Sequence, residues 1–390
     1  MKKIKAHYIF DGSQFHKFGT LVLDDSNRVL EILPESKEEH ANTEFYSGIV
    51  CPGFVNAHCH LELSHLHNSI PQHTGLPEFI SHVVRLRNSV EDREVYMRQA
   101  DANMQEQGIV AVCDISNTTE SFAVKQSSSI KYHTCIEMFD IFSDTQQVFR
   151  DAKQIFSLYK SDLSLSLSLH APYSCSRILI ELLGEHAKEY EYPISIHNQE
   201  DASENDFFVS QSGELYTFFK TRNPEMKSFQ GKGKSSLQTI APLLPRKNHI
   251  LFVHNIFTNY RDVRFLLALR SQRSFTFVIC PLSNFYISKQ VPPLPLFLEK
   301  GISVAIGTDS FASNTKLSIL DELIYLQEIF PEISLEKLLE CATKNGAFAL
   351  GMQRTLGSFV KGAKPGVLLL EQCDLHSLRL TKNTRIHVLV

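Results

Sequence analysis

Eight short hydrophobic runs follow one another between residues 48 and 310, and helix-length segments separate most of them. In chain order the runs are GIVCPGFVNAH (48–58), GIVAVCDIS (108–116), KYHTCIEMFD (131–140), DLSLSLSLH (162–170), YPISIHN (192–198), HILFVHN (249–255), FTFVICPLSN (275–284) and GISVAIGTDS (301–310). Strands that alternate with helices are typical of a parallel sheet, and eight parallel strands can close into a barrel. We therefore predict an α/β fold, a (β/α)8 TIM barrel over residues 48–354.

The two ends of the chain do not continue this series. Residues 1–47 and 355–390 contain short strand-like runs divided by turn residues. Two β-rich segments that flank a barrel indicate a small β-sandwich domain built from both chain termini. The segment 201–248 follows neither pattern, and we interpret it as a loop and helix over the barrel mouth.

The composition argues against several classes of protein. The chain has 39 Lys and Arg against 43 Asp and Glu, and this balance argues against a nucleic-acid partner or an anionic membrane surface. The N-terminal residues MKKIKAHYIFDG contain no apolar signal segment, and no apolar run reaches the roughly 18 residues that span a bilayer. The eight cysteines are scattered, which is typical of reduced thiols. We expect a cytoplasmic protein that acts on a small molecule, and the sequence is compatible with a homodimer.

Nearly every hydrophobic run ends in a polar or ionisable side chain. In a (β/α)8 barrel the active site lies at the carboxyl ends of the strands, so these side chains are expected on one rim. The residues at the run ends are His58, Asp114, Glu137, His170, His197, His254, Ser283 and Asp309. Loops begin with polar residues in any protein, but four histidines and an aspartate exceed what loop composition alone provides.

The first run ends with His58 and His60, two histidines at positions i and i+2. In an extended strand both side chains point to the same face and can share one ion. His197, His254 and Asp309 end later strands, and three histidines with one carboxylate suit a zinc-type ion that keeps one position for water. The H-x-H pair alone could arise by chance among 17 histidines. The later strand ends therefore carry the prediction of a metal site.

Glu200 follows His197 by three residues, where the fifth strand gives way to a loop. A glutamate in this position can move a proton between a metal-bound water and a substrate. The alternative is a solvated glutamate in an acidic loop.

Cys59 lies between the two histidines of the first run, but its side chain should face away from them. Because no run ends in lysine at the rim, we expect one ion rather than two.

These ordered motifs resemble the amidohydrolase superfamily, specifically its mononuclear metal-dependent deaminase and chlorohydrolase branch. PGFVNAHCHLE resembles the first-strand signature, HNQE the fifth-strand H-x-x-E, VHN the sixth-strand histidine, CPLSN the seventh-strand motif and GTDS the eighth-strand aspartate. The C-terminal GSFVKGAKPGVLLLE is similar to the turn that re-enters the small β domain, although Gly366 stands where the family usually has aspartate. The resemblance extends over most of the chain.

The resemblance implies one divalent ion, with zinc expected first and iron second, and a hydrolytic deamination. At the matching positions the metal ligands would be His58, His60, His197 and Asp309. The catalytic residues would be Glu200, His254 and Asp309. A metal-activated water attacks a ring carbon that bears an amino group, Glu200 protonates the adjacent ring nitrogen, and His254 stabilises the intermediate. Asp309 would also accept a proton from the water.

The substrate is less constrained by the sequence. HAPYSCS (170–176) resembles a segment of nucleoside deaminases whose histidine contacts the sugar, so His170 is a substrate-binding candidate. Glu62 could bind a hydroxyl or ring nitrogen, or could pair with a neighbouring loop. The HLELSHL and GLPEFI stretches are similar to aminodeoxyfutalosine and adenosine-type deaminases, which implies a 6-aminopurine nucleoside derivative. The alternatives are guanine, a triazine chloride, a cyclic amide, or an inactive barrel used as a binding module.

Overall fold

The computed structural model describes residues 1–35, 43–226 and 233–390, and these residues form fifteen β-strands. The strands are β1 (Lys2–Phe10), β2 (Phe15–Lys17), β3 (Thr20–Leu23), β4 (Val29–Leu33), β5 (Thr43–Pro52), β6 (Phe54–Cys59), β7 (Ile109–Ser116), β8 (Lys131–Met138), β9 (Ser164–Leu169), β10 (Ile194–Asn198), β11 (His249–His254), β12 (Ser274–Ile279), β13 (Val304–Ile306), β14 (Val367–Glu371) and β15 (Arg385–Val388). Parts of two predicted segments, 36–42 in the terminal domain and 227–232 in the mouth segment, lie outside the described residues.

Helices connect most of the strands, and the described residues contain fourteen α-helices. These are α1 (Leu76–Leu86), α2 (Glu94–Glu106), α3 (Phe122–Ser127), α4 (Thr145–Tyr159), α5 (Arg177–His186), α6 (Ala202–Ser210), α7 (Gly213–Arg222), α8 (Ser236–Ile240), α9 (Tyr260–Leu269), α10 (Pro281–Ser288), α11 (Leu294–Glu299), α12 (Ile319–Ile329), α13 (Leu335–Ala342) and α14 (Lys344–Ala349). Short 3-10 helices occupy Leu61–Leu66, Pro172–Ser174, Ala187–Glu189 and Arg270–Gln272. None of the described helices is long and apolar enough to cross a lipid bilayer.

Strands β6 to β13 form two four-stranded sheets, in the orders β6-β7-β8-β9 and β10-β11-β12-β13. All six pairings within these sheets are parallel. Helices lie between successive strands, and a parallel sheet that helices cover is apolar on both faces. This explains why the sequence runs are continuously hydrophobic. The structure thus confirms the predicted α/β class with parallel strands.

Isolated backbone hydrogen bonds connect the two parallel sheets, one at the first junction and two at the second. At the first junction the N–H of His197 donates to the carbonyl of His170 (2.9 Å). At the second, the N–H groups of Thr308 and Asp309 donate to the carbonyl of His58 at 3.2 and 3.1 Å. Gly307 makes the second junction possible, because a Cβ there would lie 2.8 Å from the Cβ of His58. Continuous ladder pairing across these junctions is not found among the described residues.

The remaining seven strands come from both ends of the chain and form one mixed sheet, in the order β15-β14-β5-β1-β3-β4 with β2 paired to β1. The predicted sandwich is not confirmed, because the described strands form a single sheet rather than two packed sheets. Strand β5 extends to Pro52, so the domain boundary predicted between residues 47 and 48 lies inside this strand. The chain passes to the parallel sheet at Gly53, where a Cβ would lie 2.3 Å from a methyl group of Val110.

Small side chains fill the interior between the two parallel sheets. Ala57, Ala111, Cys113, Ala305 and their aliphatic neighbours form a separate buried cluster. All eight cysteines are unpaired in the structure, and all except Cys373 are buried. In the described part of the segment 201–248, α6 and α7 precede residues 227–232, and α8 lies between these residues and β11.

Candidate metal centre and active site

The carboxyl ends of the parallel strands bring most of the predicted site residues together. Among the described residues, three groups of potential ligands have donor atoms within 4.8 Å of one another. The groups are His58 with His197 and His254, His58 with His60 and Asp309, and Glu137 with His170 and His197. The predicted ligands at the strand ends therefore lie in one cluster.

His58 lies at the centre of this cluster and is fully buried. Both of its ring nitrogens lack a hydrogen-bond partner in the part of the chain that the structure describes. Its Nε2 atom and that of His60 each lie 3.6 Å from Oδ1 of Asp309. Nε2 of His60 lies 3.3 Å from Nε2 of His197. A buried imidazole without a partner is costly, and a cation among these lone pairs would remove that cost.

Neighbouring groups fix the orientation of the ligand candidates. Nδ1 of His197 donates to the carbonyl of His170 (2.6 Å), which leaves Nε2 with its lone pair. Oδ2 of Asp309 accepts hydrogen bonds from Ser283 (2.8 Å) and Ser313 (2.5 Å), so that Oδ1 points toward the histidines. Such partners commonly hold the ligands of a metal in place.

Burial favours the neutral form of two of the ligand candidates, His60 and His197. It lowers the pKa of His60, and neighbouring His58 lowers this pKa further. Burial lowers the pKa of His197 well below its ordinary value, with His58, His170 and His254 acting in the same direction. Neutral imidazoles are the form that binds metals, so the donor set fits a divalent ion of zinc type.

Glu200 and His254 face each other beside the cluster, with Oε1 of Glu200 3.6 Å from Nε2 of His254. Burial and the negative charge of Asp309 raise the pKa of Glu200 well above its ordinary value. Burial lowers the pKa of His254 to about 3. The side-chain amide of Asn284 lies 2.9 Å from Nδ1 of His254 and orients the ring. The pair therefore combines a carboxyl group that holds a proton with a neutral imidazole.

Two of these residues have an unusual backbone conformation. His254 and Asp309 have φ angles of 74° and 56°, in the left-handed region. Residues other than glycine adopt this region at some cost, and such strain is concentrated at functional sites. At β11 the turn is held by Asn255, whose amide group donates to the carbonyls of Phe252 (2.6 Å) and Val278 (3.3 Å).

The two substrate-binding candidates lie in different places. His170 lines the cavity, and its Nδ1 atom lies 2.7 Å from Oγ of Ser174. Glu62 is not among the residues that line the cavity. Its carboxylate accepts hydrogen bonds from the N–H of Asn117 (3.1 Å) and from Oγ1 of Thr118 (3.0 Å), and burial raises its pKa to about 7. The structure thus places Glu62 against a neighbouring loop, which was the structural alternative.

A cavity of about 400 Å³ includes the cluster and extends away from it. The polar end contains the imidazoles together with Asn117, Glu137 and Glu200. The apolar walls include one face of α1 and a phenylalanine of α7, namely Leu76, Phe79, Ile80, Val83 and Phe219. Glu137 is visible in the sequence as a strand end, but neither its role nor that of these walls can be recognised from the sequence pattern.

Known proteins share both the sequence pattern and the fold. Residues 49–385 match the Amidohydrolase family. The adenosine deaminase of Helicobacter pylori is 26% identical over 327 residues, which cover 81% of this chain and 78% of that protein. The crystal structure of Helicobacter pylori aminofutalosine deaminase in complex with methylthio-coformycin has a TM-score of 0.81 at 22% identity, and the match covers 95% of this chain and 92% of that chain. An adenosine deaminase from Xanthomonas campestris with bound zinc has a TM-score of 0.76 at 19% identity, with 96% and 85% covered.

The family match spans the parallel sheets and reaches into both parts of the terminal sheet. It includes every histidine and carboxylate of the candidate metal cluster. The resemblance that the motifs indicated is therefore confirmed, and the chain belongs to the amidohydrolase family.

Proposed function

We propose that this protein is a hydrolytic deaminase of a 6-aminopurine nucleoside derivative, which releases ammonia with the help of one divalent ion. The observation that carries the proposal is the meeting of Glu200 and His254, 3.6 Å apart, beside the buried histidine cluster. A proton donor and a hydrogen-bonding imidazole at a metal site are what hydrolysis of a ring amidine requires. The similarity to an adenosine deaminase supports the nucleoside class.

One ion would be held by His58, His60, His197 and Asp309, with zinc as the first choice. The unpartnered nitrogens of His58 and the orientation of Oδ1 of Asp309 toward the histidines support this assignment. When bound in such a site, zinc acts as a Lewis acid and lowers the pKa of a coordinated water toward 7. The cluster that includes Glu137 and His170 does not favour a second ion, because Nδ1 of His197 is already used by a carbonyl.

The protein side chains then manage the protons of the reaction. Glu200 donates its proton to the ring nitrogen next to the carbon that carries the amino group. His254 hydrogen-bonds to the oxygen that adds to this carbon, and Asp309 accepts the proton that the attacking water loses. The C–N bond breaks as ammonia leaves with that proton, the added hydroxyl returns its remaining proton to Glu200, and a ring carbonyl is left. Because the site is buried, these charges interact strongly.

Ammonia release by the purified, metal-quantified protein tests the proposal. The panel contains adenosine, 5'-deoxyadenosine, 5'-methylthioadenosine, guanine, cytosine, a chlorotriazine and a cyclic amide. We expect ammonia from the aminopurine nucleosides and none from the triazine or the amide. Ammonia from guanine alone would contradict the nucleoside assignment. Binding without turnover of any compound would instead favour a binding module.

Removal of the metal should abolish activity and lower thermal stability. A chelator would remove the ion that His58, His60, His197 and Asp309 would hold, and a ligand at 100 times its dissociation constant stabilises the folded state by about 2.7 kcal/mol. We expect added zinc to restore activity and raise Tm by several degrees. In His58→Ala the same addition should leave Tm unchanged. A full zinc-dependent shift in His58→Ala would contradict the ligand assignment.

The apolar walls of the cavity favour a substrate with an apolar substituent. Val83 of α1 lines the cavity, and burial of a valine side chain contributes about 1.5–3 kcal/mol. We therefore expect Val83→Asp to raise KM for 5'-methylthioadenosine about 10-fold or more, with a smaller increase for adenosine. Val95→Asp is the matched control, because Val95 is 61% exposed on α2 outside the cavity. Equal effects of both substitutions would argue against this use of the wall.

We further propose that β6 to β13 form one closed barrel and that the seven-stranded sheet, which includes β5 as far as Pro52, forms a separate small domain from both chain ends. The hydrogen bonds at both junctions between the parallel sheets support closure. The pairing of β14 with β5 supports a domain built from both ends. The unpaired cysteines support a reducing compartment such as the cytoplasm.

A further inference from the structure

Glu137 has a buried carboxylate that is only half satisfied. It lies on β8 with 4% of its side chain exposed, and it lines the cavity. Oε2 accepts a hydrogen bond from the side-chain amide of Asn117 (2.8 Å). Oε1 has no partner among the described residues. A buried charged acceptor without a donor is destabilising, so the shape of the site implies a donor from outside the protein chain.

The surrounding side chains do not supply this donor. The nearest ring nitrogen, Nδ1 of His197, lies 3.6 Å away and already donates to the carbonyl of His170. Nδ1 of His170 lies against Ser174 at 2.7 Å. A cation is also unsuited to this position, because Nδ1 of His197 carries a proton and offers no lone pair. A hydrogen-bond donor on the bound molecule is the remaining solution.

A carboxylate only accepts hydrogen bonds, so the group that faces Oε1 must carry an O–H or N–H. We infer that Glu137, oriented by Asn117, binds the 2'- or 3'-hydroxyl of the substrate's ribose. This inference rests on the proposed function, and it narrows the substrate to a nucleoside with a free ribose hydroxyl rather than a free base. Glu137 is thus assigned as a substrate-binding residue, whereas the sequence indicated only that it ends a strand.

The test compares adenosine with 2'-deoxyadenosine, 3'-deoxyadenosine and 2',3'-dideoxyadenosine on the zinc-loaded protein. A hydrogen bond to a charged group corresponds to about a 10- to 100-fold effect. For the wild-type protein, we expect kcat/KM to be lower by this factor when the nucleoside lacks the hydroxyl that faces Glu137. In Glu137→Gln and Glu137→Ala, kcat/KM for adenosine should fall by the same factor relative to wild type, whereas kcat/KM for 2',3'-dideoxyadenosine should change little. Equilibrium binding of inosine and 2',3'-dideoxyinosine should show the same pattern.

Glu322→Gln is the matched control, because Glu322 is a buried carboxylate that lies outside the cavity and has its donors within the protein, the N–H of Leu282 and the side-chain amide of Asn314. It should leave the ratio of kcat/KM for adenosine and dideoxyadenosine unchanged. If Glu322→Gln changes the ratio and Glu137→Gln does not, the assignment of Glu137 is wrong. Metal content and Tm of each variant show whether it is folded.

The outcomes separate this inference from the proposed function. Equal kcat/KM for adenosine and 2',3'-dideoxyadenosine in wild type would overturn the role of Glu137 while deamination itself stands. This comparison needs no variant, so it holds even if the substitutions at Glu137 prevent folding. An absence of ammonia from every nucleoside would overturn the proposed function and this assignment with it.

Discussion

Replacement of Glu200 by glutamine should reduce kcat for ammonia release by about 10²- to 10⁴-fold, the usual contribution of a general acid or base. The glutamine has nearly the same shape, but it cannot donate a proton to the ring nitrogen and accept it again. Because Glu200 is not among the candidate metal ligands, zinc content and Tm should stay close to those of wild type. Steady-state kinetics with metal analysis checks both expectations.

Glu204→Gln provides the control for this experiment. Glu204 is also a buried carboxyl group, and burial raises its pKa to about 7, but it does not line the cavity. Its Oε2 accepts a hydrogen bond from the N–H of Glu200 (3.3 Å), which a glutamine oxygen can also do. We expect a much smaller loss of kcat than in Glu200→Gln. If both variants lose activity equally, the effect is structural and not one of proton transfer.

Lys125→Met should lower the free energy of unfolding by about 3–5 kcal/mol, because it leaves a buried carboxylate without its partner. Nζ of Lys125 lies 2.5 Å from Oδ2 of Asp114, and neither side chain is exposed. Oδ1 of Asp114 accepts a hydrogen bond from the N–H of Leu61 (2.7 Å), directly after His60. The ion pair therefore anchors the backbone that follows the first-strand histidines, and zinc affinity should fall as well.

Denaturant unfolding of the zinc-loaded protein measures this effect. The double variant Asp114→Asn with Lys125→Met is the informative control, because it leaves no buried charge and should recover part of the lost stability. A single-variant loss of less than about 1 kcal/mol would indicate that water or a rearranged side chain satisfies Asp114.

The sequence was most informative where a regular strand determines the direction of a side chain. The two-residue period places His58 and His60 on one face, and Nε2 of each histidine does lie 3.6 Å from Oδ1 of Asp309. The ends of parallel strands meet at one edge, so His197, His254 and Asp309 could be expected in the same place without knowledge of any loop. These features depend on local geometry and on the order of the strands.

The sequence was least informative where a side chain depends on contacts distant in the chain. The donors to Glu62 come from residues 117 and 118, and their approach depends on the packing of the loop after β7. The half-satisfied state of Glu137 becomes visible only when its neighbours are in place. The terminal strands alternate in the same way in one curved sheet or in a sandwich, so their pattern could not distinguish these arrangements.

The contact between Gly307 and His58 has a consequence for the order of folding. It joins the first and the last strand of the parallel sheets, which lie far apart in the chain. Closing so long a loop is entropically expensive, and contacts of large sequence separation tend to form late. The donor set that unites His58 with Asp309 is therefore completed only when β13 docks beside β6. During synthesis, therefore, nearly all of the residues from β6 to β13 must have left the ribosome before the candidate metal ligands can come together.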